Sequence, residues 1–239
     1  MNPLLVAMLA LNLNALDWTL SLRGGFFGAQ RIGGEDPGVH SWKQHAPPGF
    51  PHDSLDSLAY HHDESFAITL EAEAGYRGFW LGMCMGGGSG SGIIDDSAGE
   101  ALGFINNNFN DISLGLGYDL RAKWPFASSI GVFAQAGHLG AETRYTYIRY
   151  VEATESCGDA LFYAGAGIRA RIPWAFVSYL YPVSRGGIHR LLVSVGGAMY
   201  GEGESPASAY LGAYYDQSWN AQDNISTLGC LLSVFGPRR

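Results

Sequence analysis

The residues best placed to do chemistry are charged groups set inside otherwise apolar, alternating stretches. Asp17 and Arg23 fall in LDWTLSLRGGFF (16–27), Glu71 and Glu73 in SFAITLEAEAGYR (65–77), Asp119 and Arg121 in DISLGLGYDLRAKW (111–124), and Arg169 and Arg171 in ALFYAGAGIRARI (160–172). Each has the parity opposite to its apolar neighbours. Strand side chains alternate faces, so each stretch has one apolar face and one charged, polar or small face. Charges held in a low-dielectric interior need partners, because isolated burial is costly. The chemistry on offer is therefore ion pairing. It serves either as a gate that a solute must cross or as a static network that fills the interior. Glu71, Glu73, Asp119 and Arg169 lie at similar distances from their nearest turns and are expected to form one layer. Gly115, Gly117, Gly165 and Gly167 share that face, and the sequence predicts space for water beside Asp119 and Arg169.

Other constellations are weaker. Residues 30–63 hold five of the seven histidines (His40, His45, His52, His61 and His62) among Asp53, Asp56, Asp63 and Glu64. His61-His62-Asp63 is not a specific ligand spacing, so a solvated loop is expected and no metal is assigned. Asp95 or Asp96 beside His61 or His62 could activate water, but nothing in the sequence fixes their distance. No catalytic residue and no cofactor is assigned. GGGSGSG (86–92) lacks the Lys-Ser/Thr and the βαβ setting of a phosphate loop and reads as flexible loop. Cys84, Cys157 and Cys230 have no metal-like spacing. They read as small packing residues, with a Cys84–Cys157 bridge open in an oxidising compartment.

The elements that must hold the inner charges are strands. Ten segments repeat the alternation, most of them near the ~9–11 residues of a tilted membrane-spanning strand. The connections after the first, third and fifth segments read as long, with residues 86–110 forming a second long loop and Glu155–Asp159 a further one. Those after the second, fourth, sixth and eighth read as short. The facing of Trp174–Tyr181 is ambiguous. Trp18, Tyr76, Trp124 and Trp174 fall near the short-turn ends, where amphipathic rings collect at a lipid–water boundary.

Composition narrows the class. The chain has 239 residues, 34 of them glycine, with 15% charged residues, 13% aromatics and a net charge of −8. It is too apolar for a disordered chain and too acidic for nucleic acid, whose affinity rests on Lys and Arg at phosphates. No apolar run reaches the ~20 residues of a membrane helix. MNPLLVAMLALNLNA (1–15) reads as a signal peptide with an apolar core at Leu4–Leu11 and Ala15 at the cleavage point. Residues 16–239 then form one barrel domain.

The paired alternating strands, as in LFYAGAGIRARIPWAFVSYLYP (161–182), resemble the small outer-membrane β-barrel families of Gram-negative-type bacteria, OmpW-like and OmpA-like barrels among them. The resemblance covers nearly the whole mature chain and rests on pattern. It implies a closed antiparallel transmembrane β-barrel; the ten segments predict about ten strands, and eight, the usual number in those families, is the alternative. It also implies short periplasmic turns, long extracellular loops and a location in the bacterial outer membrane. The expected function is a narrow passive pore for small solutes, its lumen lined by Arg23, Glu71, Glu73, Asp119, Arg121, Arg169 and Arg171. The alternatives are a structural or adhesive surface barrel that meets a partner through residues 30–63 and 86–110, and a hydrolase on a barrel scaffold. A soluble, lipocalin-like barrel would invert every facing.

Overall fold

The computed structural model describes residues 17–31, 59–122, 128–148, 154–172, 174–185, 187–200, 208–220 and 223–236. The signal-like residues 1–15, the loop residues His40, His45, His52, Asp53 and Asp56, and Trp124 lie outside them.

Ten strands run in chain order: β1 (Asp17–Arg31), β2 (Ala59–Tyr76), β3 (Phe79–Asp95), β4 (Ala101–Ala122), β5 (Ser128–Tyr147), β6 (Thr154–Ile172), β7 (Ala175–Pro182), β8 (His189–Tyr200), β9 (Ser208–Trp219) and β10 (Asp223–Phe235). Each pairs antiparallel with its neighbours in sequence, and β1 closes on β10, for example through Leu22↔Leu232. Closure leaves the barrel without a sheet edge along its span, the condition lipid imposes on a β structure.

Facing follows the alternation. Phe66, Leu70, Leu114, Leu116 and Ile168 all point outward, Leu116 being 61% exposed. Arg23, at 2%, and Arg169, at 7%, are buried inside. An apolar exterior around a charged interior is the construction of a barrel that stands in a bilayer, not of a soluble one. Exposed Trp18, Tyr76, Phe79 and Trp174 ring the end that holds the first residues of β1 and the last of β10, called here the terminal end. At the opposite, loop end the ring of His189 stacks on Trp219 with centroids 5.4 Å apart. Tyr179 and Tyr181 pack against the same histidine.

The terminal-end turn between β2 and β3 is set by two residues. Arg77 (φ 53°) and Gly78 (φ 92°) both take positive φ. That is the backbone a two-residue hairpin needs to match strand twist, and glycine adopts it without steric cost.

The wall is uneven in height. β7 has 8 residues and β4 has 22, about twice what crossing a bilayer requires. On β4 the outward face changes from Leu120, Leu116, Leu114 and Ile112 to Asn110, Asn108 and Asn106. The lipid belt therefore ends near Ile112, and β2–β6 continue past it as a projecting sheet. This corrects the expected second long loop. Residues 86–95 belong to β3 and 101–110 to β4, joined by a turn at 96–100. Asp96 organises that turn, its Oδ1 accepting the amides of Ala98 at 2.8 Å and Glu100 at 2.9 Å. Glycine, serine and asparagine are poor strand formers, which hid the alternation. It is present all the same: Gly86 and Gly88 lie on the inward-facing parity, and a Cβ at Gly88 would sit 2.5 Å from the ring of Phe109. The loop expected around Glu155–Asp159 is likewise strand, since β6 begins at Thr154. β5 runs on to Tyr147, as its wealth of strand formers predicts.

Candidate functional site: two arginine-centred layers in the lumen

The inner charges meet, but in two layers and not one. The first layer lies toward the terminal end and is built by neighbouring strands of the tall wall. Arg169 on β6 forks onto Asp119 of β4, its Nε donating to Oδ1 at 2.8 Å and its Nη2 to Oδ2 at 2.7 Å. Its Nη1 donates to Glu73 Oε1 on β2. Arg171 approaches the other Glu73 oxygen at 3.9 Å. The Arg169 guanidinium lies over the ring of Trp80 on β3, 3.7 Å from its centroid. A planar cation stacked on indole and held by two-pronged carboxylate contacts loses little freedom per bond formed.

The second layer lies further in and draws on both walls. Arg190 on β8 forks onto Asp216 of β9, with Nε to Oδ1 at 3.0 Å and Nη2 to Oδ2 at 2.7 Å. Its Nη1 donates across the lumen to Asp111 Oδ2 of β4 at 2.6 Å. Arg23 on β1 donates from Nη1 to the same Asp216 Oδ2 at 2.8 Å and lies 3.5 Å from Glu71 Oε2 of β2. Tyr163 donates its hydroxyl to Asp111 Oδ1 at 2.9 Å, and Gln135 donates to Ser113 at 2.7 Å. Buried carboxylates that each accept from arginine or tyrosine meet the requirement that buried charge be paired.

Of the residues expected to line the lumen, Glu73, Asp119, Arg169 and Arg171 come together in the first layer, and Arg23 and Glu71 in the second. The single-layer expectation fails at Glu71. Two residues along β2 is one inward step, and the stagger of barrel strands carries that step to a different partner. The side chain of Arg121 lies outside the described residues. Arg190, Asp216, Asp111 and Trp80 were not singled out from the sequence. Parity alone would have found Arg190, which alternates with Leu191, and Asp111, which heads the inward face of its own stretch.

The glycines do not leave open space. A Cβ at Gly117 would sit 2.7 Å from the ring of Trp80, and one at Gly115 would sit 3.4 Å from it. A Cβ at Gly165 would meet Leu180 at 2.8 Å, and one at Gly167 would run into the ring of Phe133. The glycines are sockets for bulky inward side chains on neighbouring strands. Phe133, Tyr163, Leu180 and Ile188 form a buried apolar cluster with Trp80 and Leu139 against it. This also explains the ambiguous facing of Trp174–Tyr181, because Phe176 and Leu180 bring an apolar inner face to β7. Between the layers remains a cavity of about 60 Å³, lined in part by Arg23, Glu71, Glu73, Trp80, Arg169 and Arg190. Cys84, on the same wall, is a free thiol, so it forms no bridge to Cys157, and Cys230 is free on the outer face.

No protein-family model matches the chain, and no curated protein matches it in sequence. Solved structures similar in fold include the attachment invasion locus protein Ail of Yersinia pestis in complex with the heparin analogue sucrose octasulfate. It is 11% identical over 92% of this chain and 97% of that one, with a TM-score of 0.39. The translocator domain of the autotransporter NalP of Neisseria meningitidis is 12% identical over 99% and 96%, with a TM-score of 0.43. The outer membrane protease OmpT of Escherichia coli is 10% identical over 92% and 95%, with a TM-score of 0.38. These are outer-membrane barrels of differing activities. At such scores the fold of this chain rests on its own strand pairing and facing.

Proposed function

We propose that the protein is a non-catalytic barrel of the bacterial outer membrane, closed at rest, that works through the sheet and loops standing beyond the bilayer. The terminal end faces the periplasm and the projecting part of β2–β6 faces outward. The observation that carries this reading is the filled lumen. Trp80, Phe133 and Leu180 occupy the glycine sockets, and Arg23, Arg169 and Arg190 are each held by two carboxylates. A barrel of about this size is expected to be packed by its own side chains. Among the described lumenal acids, Asp111, Asp119 and Asp216 each accept from a guanidinium, which makes them poor general bases. What remains accessible to a partner outside the cell is the polar face of the projection, with Ser89, Asn108 and Glu142 aligned across three strands.

The second reading is a narrow channel for small solutes, and the cavity between the layers favours it, since a pocket flanked by paired charges is half of a gated path. Planar-bilayer recording separates the two. The closed barrel adds no steady conductance when refolded and inserted. A resting conductance that changes when Arg169 is replaced by alanine would establish the channel instead.

A further inference from the structure

Beyond the bilayer the projecting sheet has two edges, and they differ. On one side β1 pairs with β2 only as far as Gly25↔Ala67, so among the described residues β2 from Ala59 to Phe66 is paired only with β3. A register shift between His62 and Glu64 interrupts that edge, and a bulge spoils an edge as a template for another strand. On the other side β7 pairs with β6 only from Gly165 to Ile172. Pro182, which has no N–H, stands opposite Gly165. One further bond follows, from the Val183 amide to Ala164 O at 3.0 Å, and the chain then turns away. β6 itself reaches back to Thr154 in unbroken register with β5. Its stretch TESCGDALFY (154–163) holds no proline. Backbone groups of an antiparallel strand alternate between its two neighbours. Ala164 O points toward β7, so the N–H and C=O of Phe162, Ala160, Gly158 and Ser156 point to that same side, where no described strand lies. Phe162 pairs through His138 with Ile112 at the rim of the lipid belt, so the residues before it belong to the projection.

We propose that the β6 edge from Ser156 to Phe162 takes up an extended, basic peptide segment of a soluble partner protein, which adds to the projecting sheet antiparallel to β6 and in line with β7. This deepens the reading that the protein works through its projection, and rests on it. Main-chain bonds supply the affinity of such an added strand, and its alternate side chains supply selectivity. The edge stretch carries Glu155 and Asp159 and no Lys or Arg, in a chain of net charge −8, which favours a basic partner. On the neighbouring β5, inward Tyr145 and Tyr147 are buried and outward Glu142 and Arg144 face water. The added strand therefore needs apolar residues at one parity and polar or basic ones at the other. A second copy in the same membrane fits poorly. Two copies share one orientation, so their edges meet about a two-fold axis along the membrane normal, and that axis sets the outward face of one sheet in line with the buried face of the other.

The test uses the refolded full chain in detergent micelles and a ten-residue peptide of alternating valine and lysine. By residue-resolved amide exchange, Phe162, Ala160, Gly158 and Ser156 should exchange faster than Leu161, Asp159 and Cys157 in the free barrel, and the peptide should slow the even-numbered set alone. N-methylating the peptide at all its valines, or at all its lysines, keeps the charge and removes the N–H groups of one edge. One of these two peptides should bind about tenfold or more weakly and the other as before. Ala160→Pro removes an edge N–H but no bond to β5, the setting in which a strand tolerates proline. It should weaken the peptide about tenfold or more with the unfolding midpoint unchanged. The proposal is overturned if the even-numbered amides of the free barrel are already as slow as the odd ones, or if the peptide slows neither set. It is also overturned if Ala160→Pro folds and binds as before, or if both N-methylated peptides bind equally, which would mean attraction by charge only. A barrel that conducts in a planar bilayer and still takes the peptide refutes the closed lumen and not the edge. A silent barrel whose amides ignore the peptide does the reverse.

Discussion

The two lumenal layers use the same residue types but hold different things together. The layer around Arg169 takes its members from β2, β3, β4 and β6, neighbours in the tall wall, and one arginine is saturated by Asp119, Glu73 and the face of Trp80. The layer around Arg190 and Arg23 takes its charged members from β1, β2, β4, β8 and β9. Two arginines there share a single oxygen of Asp216. The first layer braces one wall, and the second ties the short wall to the tall wall across the lumen. Local wiring can lose a member and re-pair, as Arg171 near Glu73 allows. In the cross-lumen layer one carboxylate serves two arginines, so the loss of Asp216 weakens both together.

That contrast ranks the expected effects of substitution on unfolding from lipid vesicles. Asp216→Ala should be the most damaging, because it takes a carboxylate from two buried guanidiniums at once and leaves Arg190 with Asp111 and Arg23 with Glu71 at 3.5 Å. Breaking one buried pair costs about 3–5 kcal/mol, and this change should reach or exceed the top of that range. Arg169→Ala should cost less, toward the lower end of the same range, because Arg171 can turn to Glu73 and the Asp119 side chain that loses its guanidinium is 17% exposed. Equal losses for the two would mean the layers are not wired differently. Leu116→Arg, on the lipid face, should cost about 2–4 kcal/mol if the site is near mid-membrane, with no change in the lumen. Arg144→Ala on the projecting sheet breaks an exposed pair with Glu142 at 3.3 Å and should shift stability by no more than about 0.5 kcal/mol. A large loss there would show that the projection, and not the lumen, anchors the fold.

The barrel was legible because lipid reverses the usual pattern without blurring it. Leu114, Leu116 and Leu120 against Asp119 and Arg121 state the facing directly, and the strand number followed from counting such stretches. The projection was less legible because its outward face meets water, so Asn106, Asn108 and Asn110 stand where apolar residues would mark a strand. The layers were half legible. Parity marks every inward charge, but which charges meet depends on the barrel's stagger, set by pairings such as Gly117↔Trp80 between distant residues. The glycines misled in sign. A missing side chain reads as space in one strand, whereas in the barrel it is room made for a neighbour's ring, as Gly117 makes for Trp80.

Cys84 offers the most direct test of a closed lumen, because its free, buried thiol lies on the wall of the cavity between the layers. With Cys157 and Cys230 replaced by serine, the refolded barrel in vesicles can be exposed to a charged, water-soluble thiol reagent and the modification of Cys84 followed by mass. A closed lumen predicts that the native barrel stays unmodified over a time in which the denatured chain reacts fully. Complete modification of Cys84 in the native barrel would contradict it.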